Sequence, residues 1–179
     1  MNYFIENNLF SKSQYGFIKG RSAVIQLIKI IDEWTDALDK GYQTDILYTD
    51  FEKAFDKVPH RRLISKLKFY GIQDKLVRWI EAFLTNRTQK VKINGVHSSI
   101  KPVLSGIPQR SVLVPILFAI YINDLPDVCK DLCNMYLFAD DAKMYKTIKS
   151  DVDATTLNDC YQNMMSWSNK WCMKLNIDK

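Results

Sequence analysis

At 179 residues the chain is long enough for one domain with a sizeable core, and 47% hydrophobic with 12% aromatic residues excludes a disordered or low-complexity protein. The formal charge of +5 suits a polyanionic partner, and it equally suits an ordinary lysine-rich surface. The longest apolar run, residues 112–122, is too short to span a bilayer, and the opening MNYFIENNLFSKSQ lacks the charged-then-apolar pattern of a signal peptide.

From Ser22 to Lys40, apolar residues at 24, 25, 27, 28, 31, 34 and 38 form a helical stripe, with Ser22 as N-cap and Gly41 as a stop. Residues 42–50 read as a strand ending on Asp50, followed by FEKAFD and a turn at Val58-Pro59. Helices are predicted over 60–70, stopped by Gly71, and over 73–85. Asn94-Gly95 between alternating segments is a strong hairpin signal, and it makes His97 a surface residue. A turn at 105–110 feeds an apolar helix at Pro115, residues 136–145 form a second hairpin, and a long helix covers about 151–171. Strands mixed with helices in this order imply an α+β fold, a sheet covered by helices on one face. No repeat or linker interrupts it.

The second hairpin carries the chemistry. Asp140-Asp141 is set inside the apolar, aromatic run YLFADDAKMY. Charges are rarely buried without a partner, so the pair points to a bound cation; taken alone, a solvent-facing turn explains it equally well. Asp50, at the end of a separate strand, alone reads best as a turn or capping residue. Carboxylates from two such segments are together the hard-oxygen set that two Mg²⁺ ions need, about 3.5–4 Å apart, to hold both oxygens of a phosphoryl displacement. Cys129, Cys133, Cys160 and Cys172 match no zinc spacing and no disulfide framework, and are expected reduced in an intracellular compartment.

Three segments in order, YTDFEKAFD, SGIPQRSVLVPILFAIYINDLP and YLFADD, closely resemble the palm of reverse transcriptases, with the nearest likeness to non-LTR (LINE-type, Jockey-like) retrotransposon enzymes. Gln14-Tyr-Gly-Phe17, Gly20-Arg21-Ser22, Val58-Pro-His60 and the stretch from Trp171 through Leu175-Asn176 to Lys179 agree. The resemblance implies a reverse-transcriptase palm with part of the fingers and no thumb: residues 1–41 fingers-like, 42–179 mainly palm. It implies an RNA-directed DNA polymerase using an RNA template, a DNA primer and deoxynucleoside triphosphates, nuclear or cytoplasmic and neither secreted nor in a membrane.

It also distributes roles. Asp50 and Asp140 become the principal ligands of two Mg²⁺ ions (Mn²⁺ a substitute), Asp141 an auxiliary ligand, and the Phe51 carbonyl completes a shell. Phe55, five residues after Asp50, becomes a steric gate against ribonucleotides. Gln109 would meet the nucleotide or template base, Arg21 a phosphate, and Lys179 the leaving pyrophosphate as general acid. Two glycines of the family pattern are replaced, by Arg110 and Val114. Glycine at such points permits unusual dihedrals or close approach. Arg110 is expected to obstruct base or template, and Val114 to overpack against the sheet by about 1–3 kcal/mol. The alternative to a working polymerase is therefore a catalytically impaired relic or a nucleic-acid-binding module that keeps the fold. A two-metal nuclease accounts for neither Phe55 nor the SGIPQ segment.

Overall fold

A computed structural model of the chain describes residues 2–176. The helices are α1 (Asn2–Glu6), α2 (Ala23–Asp39), α3 (Ala54–Lys57), α4 (His60–Phe69), α5 (Asp74–Leu84), α6 (Val114–Tyr121) and α7 (Asp151–Trp171), with a 3-10 turn at Leu125–Cys129. A three-stranded antiparallel sheet has the order β1 (Gln43–Thr49), β7 (Asp141–Ile148), β6 (Asn134–Phe138). Two short ribbons pair β2 (Thr88–Gln89) with β5 (Lys101–Pro102) and β3 (Lys92–Ile93) with β4 (Val96–His97). The family-level expectation of a mixed fold on an antiparallel sheet holds.

The sequence explains most of these elements locally. The Ser22 hydroxyl accepts from the Ile25 N–H at 3.2 Å and starts α2. Ser150 and Asp153 form a capping box at the start of α7. Asn94 and Gly95 both take left-handed φ, 50° and 85°, as a two-residue hairpin turn requires.

Alternation along the strands divides the sheet into two faces. Leu47, Met135, Leu137, Ala142 and Met144 belong to one continuous core with Leu63 and Leu67 of α4, Val77 of α5, Phe118 of α6 and Met164 of α7. On the opposite face, Tyr136 and Tyr145 pack with Ile30 and Trp34 of α2. Glu33 of α2 accepts hydrogen bonds from both tyrosines, at 2.8 Å from Tyr136, and ties the helix to the sheet.

Apart from Trp34, the apolar stripe of α2 does not face this core. Val24, Ile28 and Leu38 are 64, 64 and 65% exposed, whereas Gln26, Ile30 and Ala37 are buried. The first half of the helix is apolar nearly all round, so periodicity could not choose the buried side. The Gln26 amide is satisfied by donating to the Leu137 carbonyl at 3.0 Å.

The cysteine expectation needs correction. Cys129, ending the 3-10 turn, and Cys160 on α7 form a disulfide, with Cα atoms 5.0 Å apart and a sequence separation of 31. The Cys133 sulfur lies within 4.8 Å of both, and burial pushes this free thiol up to about 11. Spacing rules see local sequence only; docking of the turn on α7 creates the cluster. Among the described residues, no helix is long and apolar enough to cross a membrane.

One buried cation knits α4 to α6 and α7. Lys66 is 4% exposed and donates to the Tyr121 carbonyl and the Asp124 carboxylate. The rings of Trp171, Tyr121 and Trp167 surround its ammonium at 3.8, 5.0 and 5.0 Å. Burial outweighs the Asp124 attraction and lowers Lys66 from 10.5 to about 8. The unfolded chain therefore holds this proton more tightly, and stability rises with pH between those two values. Relative to Lys66→Met, the native protein should gain about 1 kcal/mol per pH unit between pH 8 and 9.5 in urea unfolding. No gain over that window would show that the Asp124 pair dominates instead.

Candidate functional site

β1 and β7 are paired from Gln43↔Ile148 to Thr49↔Ala142. One residue beyond this ladder, the same register sets Asp50 opposite Asp141. The β6–β7 hairpin closes at Phe138↔Asp141, so Ala139-Asp140 is its two-residue loop. Asp50, Asp140 and Asp141 thus meet at one end of the sheet. Asp50 and Asp140 are half-buried and Asp141 is exposed.

The backbone at Asp50 is held from the other side. Its carbonyl accepts from the Asn176 N–H, and the Glu52 N–H donates to the Lys174 carbonyl, both at 2.8 Å. The Phe51 ring is buried against Trp167, centroids 6.1 Å apart. The Glu52 carboxylate pairs with Lys57 at 3.0 Å and Lys174 at 3.3 Å, which holds it below the usual range. Beside them, a groove of about 1120 Å³ runs along β1 and α7; Asp50, Asp141, Tyr161, Leu175 and Asn176 are among its walls.

A second support comes from residues that carry no role in the sequence pattern. Gln14 is 0% exposed, and its side-chain oxygen accepts from the Ala139 N–H at 3.1 Å and the Gly16 N–H at 2.7 Å. Backbone bonds of 2.8 Å, Tyr15 N–H to Leu137 O and Leu137 N–H to Ser13 O, lay this segment along β6. Ala139 is left-handed, φ 54°, a conformation that costs an L-residue roughly 1–2 kcal/mol and so needs outside support. Gly16 makes the approach possible, since a Cβ there would lie 2.3 Å from the Ala139 nitrogen. The only sequence signal was a glycine framed by Tyr15 and Phe17.

Arg21 supports the same loop. Its Nη1 donates to the carbonyls of Ser11 and Gln14 at 2.5 and 2.6 Å, a structural task that the sequence did not suggest. Phe55 lies half-buried with its ring 4.3 Å from Phe118 and 6.5 Å, edge-on, from Phe17. The SGIPQ segment is stitched alongside it. Ile107 N–H donates to the Phe55 carbonyl at 3.0 Å, Ser105 Oγ to the Asp56 carbonyl at 2.9 Å, and Gln109 Nε2 to the Asp56 carboxylate at 2.9 Å. Gly106 permits this approach, because a Cβ would meet Asp56 backbone atoms at 2.6–2.9 Å. Its carbonyl accepts from Arg87 Nη2 and contacts His60 Nε2, each at 2.9 Å. Lys179 lies outside the described residues.

The model of the family described as "Reverse transcriptase (RNA-dependent DNA polymerase)" matches residues 1–179. The chain belongs to the reverse transcriptase family. It is 30% identical over 176 residues, 94% of its length, to the RNA-directed DNA polymerase from mobile element jockey of Drosophila melanogaster. It is 28% identical, over 97% of its length, to the probable RNA-directed DNA polymerase from transposon BS of the same organism. The chain spans about a fifth of these curated relatives, 19 and 20% of their lengths. In fold it matches the truncated apo telomerase of Candida tropicalis with a TM-score of 0.71 at 15% identity, covering 99% of this chain and 37% of that one. Telomerase from Candida albicans, in complex with a fragment of telomeric RNA, gives 0.70 at 15% identity, over 94% and 31%.

Against the reverse-transcriptase pattern, the two replaced glycines behave differently. Arg110 is exposed and left-handed, φ 64°, a backbone that suits glycine. Arg110→Gly should raise stability by about 1 kcal/mol, and Arg110→Ala should not. Equal urea midpoints for the two variants would contradict this. Val114 is 9% exposed, opens α6 and belongs to the continuous core. Val114→Gly should cost about 2 kcal/mol through lost burial.

Proposed function

We propose that this chain forms the palm and part of the fingers of an RNA-directed DNA polymerase of the non-LTR retrotransposon type, extending a DNA primer along an RNA template with deoxynucleoside triphosphates. The observation that carries the reading is the register that brings strand-end Asp50 opposite Asp141, beside Asp140 in the adjoining two-residue loop. The names of the jockey and BS relatives and the RNA of the Candida albicans telomerase complex support the substrates.

Enzymes of this family generally use divalent metal ions. The donor set fits: three carboxylates from two neighbouring segments, one of them exposed, offer hard oxygens and leave room for water and phosphate oxygens. Asp50 and Asp140 would hold two Mg²⁺, or Mn²⁺, with Asp141 auxiliary and the Phe51 carbonyl completing a shell. When bound, such a pair neutralises phosphate charge and aligns the primer 3′-hydroxyl with the α-phosphate.

The chain's own residues supply positioning. The Gln14 clamp fixes the loop that bears Asp140, and the segment 174–176 fixes Asp50. Phe55, wedged against Phe118, presents a ring edge that excludes a 2′-hydroxyl by shape. Gln109, tethered to Asp56, meets the incoming nucleotide or its template base. Lys179 is the candidate proton donor to pyrophosphate.

The test is extension of a DNA primer on an RNA template. Extension should require Mg²⁺ or Mn²⁺ and stop on chelation; folded protein that extends nothing with either ion overturns the reading. One observation favours a second reading, impaired turnover on an intact fold: Arg110 is a long cation on a left-handed backbone beside Gln109. Extension by Arg110→Gly but not by the native chain would select it.

A further inference from the structure

The charge of this chain is not spread evenly. Between Glu81 and Asp124 there is no acidic residue, and the same stretch contains Arg87, Lys90, Lys92, Lys101 and Arg110. The rest of the chain balances twenty cations against twenty anions, so the entire formal charge of +5 resides here. The topology then concentrates it. Residues 88–102 form the two short ribbons β2–β5 and β3–β4, and all fifteen are exposed.

The cations on this arm divide by task. Arg87 anchors its base, donating to the Leu84 and Gly106 carbonyls at 2.8 and 2.9 Å. Lys90, Lys92 and Lys101 carry no ion pair among the described residues. Directly paired residues share a face and successive ones alternate. At the tip Lys92 therefore shares a face with His97, while Ile93 and Val96 occupy the other. Nearer the base Lys101 pairs with Gln89. A two-stranded ribbon is marginally stable by itself, so an arm of this kind gains from a partner.

We propose that the ribbon 88–102 is a phosphate-backbone clamp, in which Lys90, Lys92 and Lys101 hold the sugar–phosphate chain of a nucleic-acid duplex away from the carboxylate site. This rests on the polymerase reading for the identity of the duplex. A purely cationic, acid-free surface attracts a polyanion and repels no part of it; a protein surface of mixed charge would call for both signs. Contacts of this kind position a duplex without reading its sequence.

The test measures binding of a fixed 20-base-pair B-form DNA duplex, without divalent ions, across a salt series. Compared are the native chain and the triple variant Lys90→Gln, Lys92→Gln, Lys101→Gln. All three side chains are exposed, so the variant should melt like the native chain. Three lost phosphate contacts should reduce the slope of log K against log salt by about 2.7, a differential of about 40-fold in affinity between 50 and 200 mM salt. An unchanged slope overturns the proposal, including the case in which the ribbon docks a protein through Ile93 and Val96. The two readings fail separately. Primer extension by a native chain whose triple variant keeps the full slope removes the clamp alone. A reduced slope in a chain that extends no primer removes the polymerase and leaves the clamp.

Discussion

Asp140→Ala should lower deoxynucleotide incorporation at least about 10³-fold while leaving the fold in place. The magnitude follows from what a carboxylate in this position does. Neutralising charge on the transferring phosphate is worth several kcal/mol, and each 1.36 kcal/mol is a factor of ten in rate. The fold should survive because Asp140 is a half-buried loop residue, whereas the loop is set by its neighbours, Ala139 through Gln14 and Phe138↔Asp141 through the ladder. Single-turnover incorporation and thermal unfolding on one preparation check both halves. Activity within tenfold of native would remove Asp140 from the site; a large fall in Tm would make the loss uninformative about chemistry.

Gly16→Ala should be among the most damaging small changes outside the carboxylates. Its Cβ would sit 2.3 Å from the Ala139 nitrogen, 3.1 Å from its Cα and 3.1 Å from the Gln14 side-chain oxygen. Two of these are backbone atoms of the turn, so relief requires the turn itself to shift. Overpacking of this kind costs about 3 kcal/mol, a fall of about 6–12 °C in Tm for a chain of this length. Incorporation should fall further than stability accounts for, because Asp140 moves with Ala139. Gly20→Ala is the control: its Cβ meets nothing within 4 Å, leaving only the strain of φ 80°. If both variants behave alike at a temperature where both are folded, the Gln14–Gly16 clamp does not position the site.

The parts of this architecture legible in the sequence were those written in local physics. Asn94-Gly95 demanded its turn, Ser22 its helix start, and the run 151–171 gave α7 with the bounds observed. The strand ending on Asp50 and the hairpin bearing Asp140-Asp141 were likewise local patterns. Their meeting at one end of the sheet depended on the β1–β7 pairing, which joins residues about a hundred positions apart; the shared chemistry of the carboxylates and the family resemblance anticipated it, and no local pattern did.

What escaped was set by tertiary packing. Nothing local marks Gln14 for burial; its amide oxygen accepts from Gly16 in its own segment and from Ala139 just beyond β6. Arg21 reads as a free cation until the carbonyls of Ser11 and Gln14 turn toward it. Cys129 and Cys160 lie 31 residues apart, and no spacing rule links them. The buried side of α2 was ambiguous because most of its first half is apolar. In each case the missing information was which surface lies opposite, and a single chain read linearly does not hold it.

Asp50 and Asp140, on the proposed function, bind the catalytic cations directly. The measurement that reaches this binding most directly is metal rescue of Asp50→Cys in primer extension on RNA. Thiolate is a poor ligand for Mg²⁺ and a better one for softer cations. Asp50→Cys should be inactive with Mg²⁺ and regain incorporation with Mn²⁺ or Cd²⁺, under conditions where Asp50→Ala does not. Full activity of Asp50→Cys with Mg²⁺ alone would contradict direct binding, as would equal failure of the cysteine and alanine variants with every cation that supports the native protein.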